Sequence, residues 1–211
     1  MQDVIIIGSG GVGQYVLQAI RDINKLNRLW NILGFVDQNS SMRDSEINGA
    51  PVLGGVECLK NYSNISVVIA FADPVSKLKM YEMLKDNNHT EFPSIIHPRS
   101  WIAENVSIGM GSIIYPGVSI NVNGKIGRFV TINMNSAIGH DTIIDSHVTI
   151  APNVGIGGNV KINDKCNIGI GASIIQGITI GRNTIIGAGA VVINDIPEGV
   201  TAVGVPAKPI K

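Results

Sequence analysis

An α/β domain followed by a parallel β-helix is the fold class that this sequence predicts, and three observations predict it. An aliphatic residue recurs at every sixth position without a break, isoleucine from Ile96 through Ile186 and then Val192. Two positions before most of these stands a small or β-branched residue, among them Val106, Ser112, Val130, Ser136, Val148 and Cys166. Upstream, the apolar run Val4 to Ile7 leads into Gly8-Ser9-Gly10-Gly11-Val12-Gly13 and then into a helical pattern.

The opening run reads as a buried strand, and the helix after the glycines extends to about Lys25. Gly8, Gly10 and Gly13 fit G-x-G-x-x-G between strand and helix, the context that gives this motif meaning. Such a turn brings backbone close to a diphosphate and points the N–H groups of the helix start at its charge. The alternative is a turn that serves only close packing. A second strand, Ile32 to Val36, ends at Asp37, an acidic residue at the spacing of a ribose or base contact. A Gly/Pro-rich loop, Asn48 to Gly55, borders the sugar or merely connects; Gly54 is its candidate contact. Ser66 to Phe71 supplies a third strand, and Asp73-Pro74 reads as N-cap and first position of a helix to about Lys85. The first domain therefore spans 1–92 and is half a Rossmann unit of βαβ type. The candidate substrate contacts are Gly8, Ser9, Gly10, Gly11, Val12, Gly13, Asp37 and Gly54. About 90 residues supply one mononucleotide-binding half, so a nucleoside diphosphate fits better than a dinucleotide such as NAD.

Residues 93–211 carry the six-residue period. Neither a 3.6-residue helix nor an alternating strand produces it. A coil that turns a corner every six residues does, since it places one aliphatic side chain inward on each flat face. Three faces make a turn of eighteen residues, so residues 96 to 192 hold roughly five turns, at about 4.8 Å each.

Composition narrows the function classes. Residues 1–96 carry 8 basic and 10 acidic side chains and residues 97–211 carry 8 and 6, so neither half attracts nucleic acid by charge. No apolar run approaches the roughly 20 residues of a membrane span, and no signal-like segment opens the chain, which points to the cytoplasm. Cys58 and Cys166 read as free thiols.

Catalytic chemistry needs side chains that a β-helix does not need for itself. Among the four histidines, His89 falls in a polar turn and reads as solvated, and His97 at the domain junction suits a structural hydrogen bond. His140 occupies a corner, pointing away from the inner column, with Asp141 beside it. It is either an exposed corner histidine or a general base that the neighbouring carboxylate orients. One turn on, Gly158 leaves room beside the imidazole and offers a backbone N–H to a developing oxyanion. His147 lies on an adjacent face, so no metal site is expected.

Several segments together carry a resemblance over the whole chain, Met1 to Lys211. They are Ile5-Ile6-Ile7-Gly8-Ser9-Gly10-Gly11-Val12-Gly13, Gly34-Phe35-Val36-Asp37, Val52-Leu53-Gly54-Gly55, Ile96-His97-Pro98, Gly139-His140-Asp141, Ile150-Ala151-Pro152, and Val203-Gly204-Val205-Pro206-Ala207-Lys208. The chain resembles the sugar O-acyltransferase family typified by sialic-acid O-acetyltransferase-like proteins, which includes the amino-sugar N-acetyltransferases of the bacillosamine and perosamine pathways. The resemblance implies a left-handed β-helix, a nucleotide-linked sugar in the first domain, and acetyl-CoA in a groove between two subunits of a homotrimer. It implies His140 as the general base with Asp141 raising its basicity. Closed symmetry would also cover the flat, weakly charged faces. Carried-over acetyl-CoA contacts are Thr149, Gly158, Ile170, Ala188 and Lys208. Family members commonly have a donor-contacting histidine where this chain has Thr149, so Thr149→His is expected to be tolerated and His147 to stand aside. The implied activity is acetyl transfer to the amino group of a nucleotide-linked amino-deoxy-sugar in surface glycan biosynthesis. The alternatives are O-acetylation of a sialic-acid-like sugar and a non-catalytic nucleotide-sugar-binding scaffold.

Overall fold

The computed structural model describes residues 1–86 and 90–210; His89 lies outside them. The N-terminal part opens with β1 (Gln2–Ile7), α1 (Gly11–Leu26) and β2 (Trp30–Val36), and continues with β3 (Ile65–Ile69), α2 (Pro74–Leu84) and β4 (Thr90–Glu91). Its sheet runs β2-β1-β3-β4, parallel throughout. A parallel sheet is covered on both faces, which is why β1 and β3 are continuous apolar runs. Val4 and Ile6 join one buried cluster, with Val16, Leu17 and Ile20 of α1. Ile5 and Ile7 join the other, with Met80 and Leu84 of α2. The α1 residues recur at the three- and four-residue spacing of one helix stripe. Asp73 caps α2 by accepting a hydrogen bond from the Ser76 N–H at 2.7 Å, and Pro74 takes the position where its missing N–H costs nothing.

Residues 95 to 203 form the solenoid. Up to the last turn, each coil contributes one two-residue strand to each of three sheets, in which successive coils pair in parallel. Ile114 sits beside Ile132, Ile120 beside Ile138, and Ile126 beside Ile144, each eighteen residues on. The first face runs from Ile95–Ile96 to Thr201–Val203, the second from Trp101–Ile102 to Val191–Val192, and the third from Ser107–Ile108 to Thr179–Ile180. Both the isoleucine and the residue two before it point inward; Ser112, Ser136, Val148 and Cys166 are as buried as their aliphatic partners. The coil continues beyond the six-residue series. After Val192, Ile196 bridges Ile180 and Ala202 pairs with Ile186, both sixteen residues apart. The last turn is thus two residues shorter, and about six turns stand where the period alone marked five.

The two parts meet on the first face. Tyr15 of α1 stacks on Tyr115 with ring centroids 3.4 Å apart, and Tyr81 of α2 and Phe92 close around Phe129.

Because the inner column is continuous, Ile150→Ala should cost about 2–5 kcal/mol, since Ile150 is fully buried. Lys161→Ala, at an exposed outward position, should stay within about 0.5 kcal/mol. Denaturant unfolding of both variants measures the contrast, and equal costs would contradict the assigned inward and outward positions.

Candidate active site

A cleft of about 430 Å³ opens where β1 and β3 end and α1 and α2 begin. This is where open parallel sheets bind ligands. Gly8, Gly10, Gly11, Val12 and Asp37 line it. The Asp37 carboxylate clamps the glycine turn: its Oδ2 accepts from the Ser9 N–H at 2.8 Å and the Ser9 hydroxyl at 2.5 Å, while Oδ1 accepts from the Asn39 N–H at 2.9 Å. Partial burial raises its pKa, but the Ser9 and Asn39 hydrogen bonds outweigh that and hold it below the usual carboxylate range. Two other residues from the motif reading take supporting places. Gly13 packs against the turn, where a Cβ would lie 1.8 Å from the Gly8 carbonyl oxygen. Gly54 stands behind Asp37, accepting its backbone N–H at 2.9 Å. The far wall is Ala70, Phe71, Ala72, Asp73 and Ser76, which the sequence reading missed. The only signal was Asp73-Pro74, legible as a helix start but not as a cleft wall.

His140 lies on the edge between the second and third faces, with its side chain 52% exposed. Its Nδ1 is 2.7 Å from Asp141 Oδ2, and no described group bonds Nε2. With the carboxylate accepting from Nδ1–H, Nε2 holds the lone pair of a base. Hydrogen bonds from His140, then from Asn123, hold the Asp141 carboxyl below its usual range. Gly158 lies against the ring: a Cβ there would come within 2.5 Å of Nε2.

The first face and His140 are on opposite sides of the prism. The N-terminal part covers that face, and Thr149 on it donates a hydrogen bond to the Ala72 carbonyl in the cleft wall at 2.6 Å. The edge that carries His140 joins the other two faces. Ile170 and Ala188 stand exposed, one turn apart, on the edge between the first and second faces. Lys208 is exposed on the closing strand pair. His97 is buried and bonded, with Nε2 3.4 Å from Asp22 Oδ2 and Nδ1 accepting the Arg99 N–H. Among the described residues no cluster of histidine, cysteine, aspartate and glutamate could hold a metal ion, and no helix is long and apolar enough to cross a membrane.

Comparison with known proteins agrees with this architecture in both parts. Residues 3–84 match the PglD N-terminal domain, and residues 123–158 match the bacterial transferase hexapeptide family. WeeI from Acinetobacter baumannii AYE is 30% identical, with all of each chain covered and a TM-score of 0.88. The chain belongs to the hexapeptide-repeat sugar acyltransferases. A perosamine N-acetyltransferase from Caulobacter crescentus, solved with CoA and GDP-perosamine, is 28% identical over 100% of this chain and 98% of its own, with a TM-score of 0.92. The acetyltransferase domain of PglB from Neisseria gonorrhoeae FA1090, solved with acetyl coenzyme A, is 27% identical over 99% of both chains, with a TM-score of 0.90. No curated protein matches the chain.

This acyltransferase differs at Thr149 from what its family resemblance suggested. The residue is 6% exposed and its hydroxyl is already committed, accepting from Lys77 Nζ at 2.8 Å while donating to Ala72. The hydroxyl is thus turned into the seam with its hydrogen engaged, and an imidazole at this position would crowd Lys77, which runs against the expected donor contact and the expected tolerance of Thr149→His. His147 is also buried, stacked on Phe129 with ring centroids 5.6 Å apart, and its Nε2 has no partner among the described residues.

Lys77 is the unexpected residue of this seam. It is 1% exposed, and its Nζ also reaches the Val148 carbonyl at 3.1 Å and the Thr131 hydroxyl at 3.3 Å. Burial pulls its pKa down to about 7, against a smaller opposing pull from Asp73. Thr149 and Val148 must each accept an N–H, whereas Thr131 can accept a third or donate to a neutral amine. Both protonation states are therefore satisfied. A lysine whose folded pKa lies below its unfolded value costs stability while charged, and the cost is relieved as pH rises from the folded toward the unfolded value. Between pH 7 and 9 the melting temperature should rise by roughly 5 °C more in the wild type than in Lys77→Met. Scanning calorimetry across that range reads the difference, and parallel curves would contradict it.

Proposed function

We propose that the chain transfers an acetyl group from acetyl-CoA to the amino group of a nucleotide-linked amino-deoxy-sugar, with His140 as general base. The observation that carries this is the imidazole at the exposed edge, its Nδ1 held by Asp141 and its Nε2 free, on a fold shared with acetyltransferases solved with CoA, acetyl-CoA and GDP-perosamine. The nucleoside diphosphate fits the cleft lined by Gly8, Gly10 and Gly11, where the start of α1 at Gly10 and Gly11 offers its positive end to the diphosphate charge, while the Gly8 N–H is held by the Val36 carbonyl. Ser9, Val12, Gly13, Asp37 and Gly54 shape and clamp that turn. We assign acetyl-CoA to the second face and its edges. The outward positions Ser119, Ala137, Gly155 and Ser173 are small there, with Ile170 and Ala188 on one edge and Gly158 on the other. Lys208 is the cation available to a CoA phosphate.

In the reaction the sugar amine attacks the thioester carbonyl while Nε2 takes its proton. The Gly158 N–H is available to the oxyanion. The carbon–sulfur bond then breaks and the imidazolium returns the proton to the departing thiolate. Base catalysis of this kind contributes about 10²–10⁴-fold, and positioning contributes much of the rest.

The same geometry supports a homotrimer. A sugar in the cleft beside the first face cannot meet His140 on the far edge of its own β-helix, so a neighbouring copy must bring the two together. Exposed Met134, Ile143, Ile170, Ile185 and Ile193 on the solenoid supply apolar surface for such contacts, and closed cyclic symmetry gives every copy the same site.

His140→Ala should lower kcat about 100-fold or more in a thiol-release assay with nucleotide amino-sugars, and near-wild-type turnover would sink the base assignment. A second test addresses the shared site. A Cβ at Gly10 meets nothing within 4 Å, so Gly10→Glu should fold yet repel a diphosphate. Co-refolding the inactive His140→Ala and Gly10→Glu proteins should restore part of the activity if cleft and base come from different copies. Mixtures that stay inactive would contradict the sharing.

A further inference from the structure

The edge that carries His140 holds a column at eighteen-residue spacing: Asn105, Asn123, Asp141 and Asn159. One carboxylate stands among asparagines, and it stands beside the imidazole. The hydrogen bonds along this column have a direction that can be worked out from one end. A backbone N–H can only donate, and that of Asn123 lies 3.1 Å from an Asn105 side-chain atom, which must therefore be the amide oxygen Oδ1. The Asn105 amide nitrogen is then the group that faces Asn123, and it donates to Asn123 Oδ1. With its oxygen so occupied, Asn123 must turn its own Nδ2 to Asp141, donating to Oδ1 at 2.9 Å. The second carboxylate oxygen, Oδ2, is left for His140 Nδ1 at 2.7 Å.

We infer that Asn105 and Asn123 are positioning residues that hold the Asp141 carboxylate in the alignment that sets the tautomer of His140. The carboxylate can only accept, so with Oδ2 aligned on the ring Nδ1 carries the proton and Nε2 the lone pair; the asparagine chain, each link of which permits one orientation, keeps the carboxylate in that alignment. Asn123 also fixes the plane of the carboxylate. Asp141 is 44% exposed and Asn123 Nδ2 is the one described donor to Oδ1, so without it the His140 bond alone restrains the carboxylate about its last torsion. Asn123 is suited to the position because its φ is +62°, a left-handed conformation that asparagine tolerates better than most residues.

The inference rests on the general-base reading of His140, and the test separates the two. Asn123→Gly keeps the left-handed backbone and removes the donor; Asn105→Ala removes the group that orients Asn123 at a position with no positive φ. Nitrogen-15 NMR of histidine-labelled protein reads the tautomer without turnover. Both variants should shift population away from the Nδ1–H form, and both should lower kcat about three- to tenfold with the KM of each substrate unchanged. The double variant should be no worse than Asn123→Gly alone, because the two residues act in series. An unmoved tautomer signal in the folded variants overturns the relay, whatever His140→Ala does. A shifted tautomer with unchanged kcat leaves the relay standing and removes the general-base role.

Discussion

A closed turn of eighteen residues is the constraint from which the other properties of this protein follow. Each coil hands its backbone N–H groups to the carbonyls of the next, as Gly139 does to Ile156 and Thr149 to Cys166. The coils consequently cannot slip without breaking a ladder on all three faces. Within the regular coils each side chain thereby acquires two fixed neighbours, eighteen residues below and above. Inward, this stacks isoleucine on isoleucine into one buried column. At the edges it stacks whatever the corners carry, which is how Gly158 comes to lie against His140 and Asn123 under Asp141. A rigid repeat with no catalytic need of its own thus holds chemically active groups at repeatable positions.

The second constraint is the seam between the α/β unit and the first face. Two aromatic contacts flank it, the Tyr15–Tyr115 stack on one edge and the cluster around Phe129 on the other. Between them Lys77 crosses from α2 to the β-helix, with every hydrogen bond of its amine satisfied in either protonation state. A buried amine with an unmet partner would be costly; a fully bonded one gives the seam a single allowed register. Thr149 links this lysine to the Ala72 carbonyl, so the wall of the cleft and the solenoid are tied by one side chain. The same docking turns the cleft away from His140 of its own chain.

The fold was largely legible in advance because its determinants are local or periodic. A six-residue spacing is a property of covalent order, and it specified both the inward residues and the corner on which His140 sits. The strand, glycine turn and helix at the start of the chain are likewise contiguous. The site was legible only in part. Gly8, Gly10, Gly11, Val12 and Asp37 could be named from the motif, but Phe71, Ala72 and Ser76 complete the cleft through a strand order, β2-β1-β3, that no short spacing encodes.

What the sequence determined by itself is the repeating coil, the glycine turn, and the pairing of His140 with Asp141 and Gly158, since each depends on neighbours at fixed separations along the chain. What only the tertiary structure decided is which solenoid face the first domain covers, the shorter last turn, and the burial of Thr149 beneath Lys77. The first and last of these depend on contact between two elements of unrelated period, such as Lys77 and Thr149, 72 residues apart; the short turn shows only in the pairing of Ile196 and Ala202 with residues sixteen positions earlier. A lysine on a helix reads as solvated because charge favours water; three oxygens placed by another part of the fold reverse that preference.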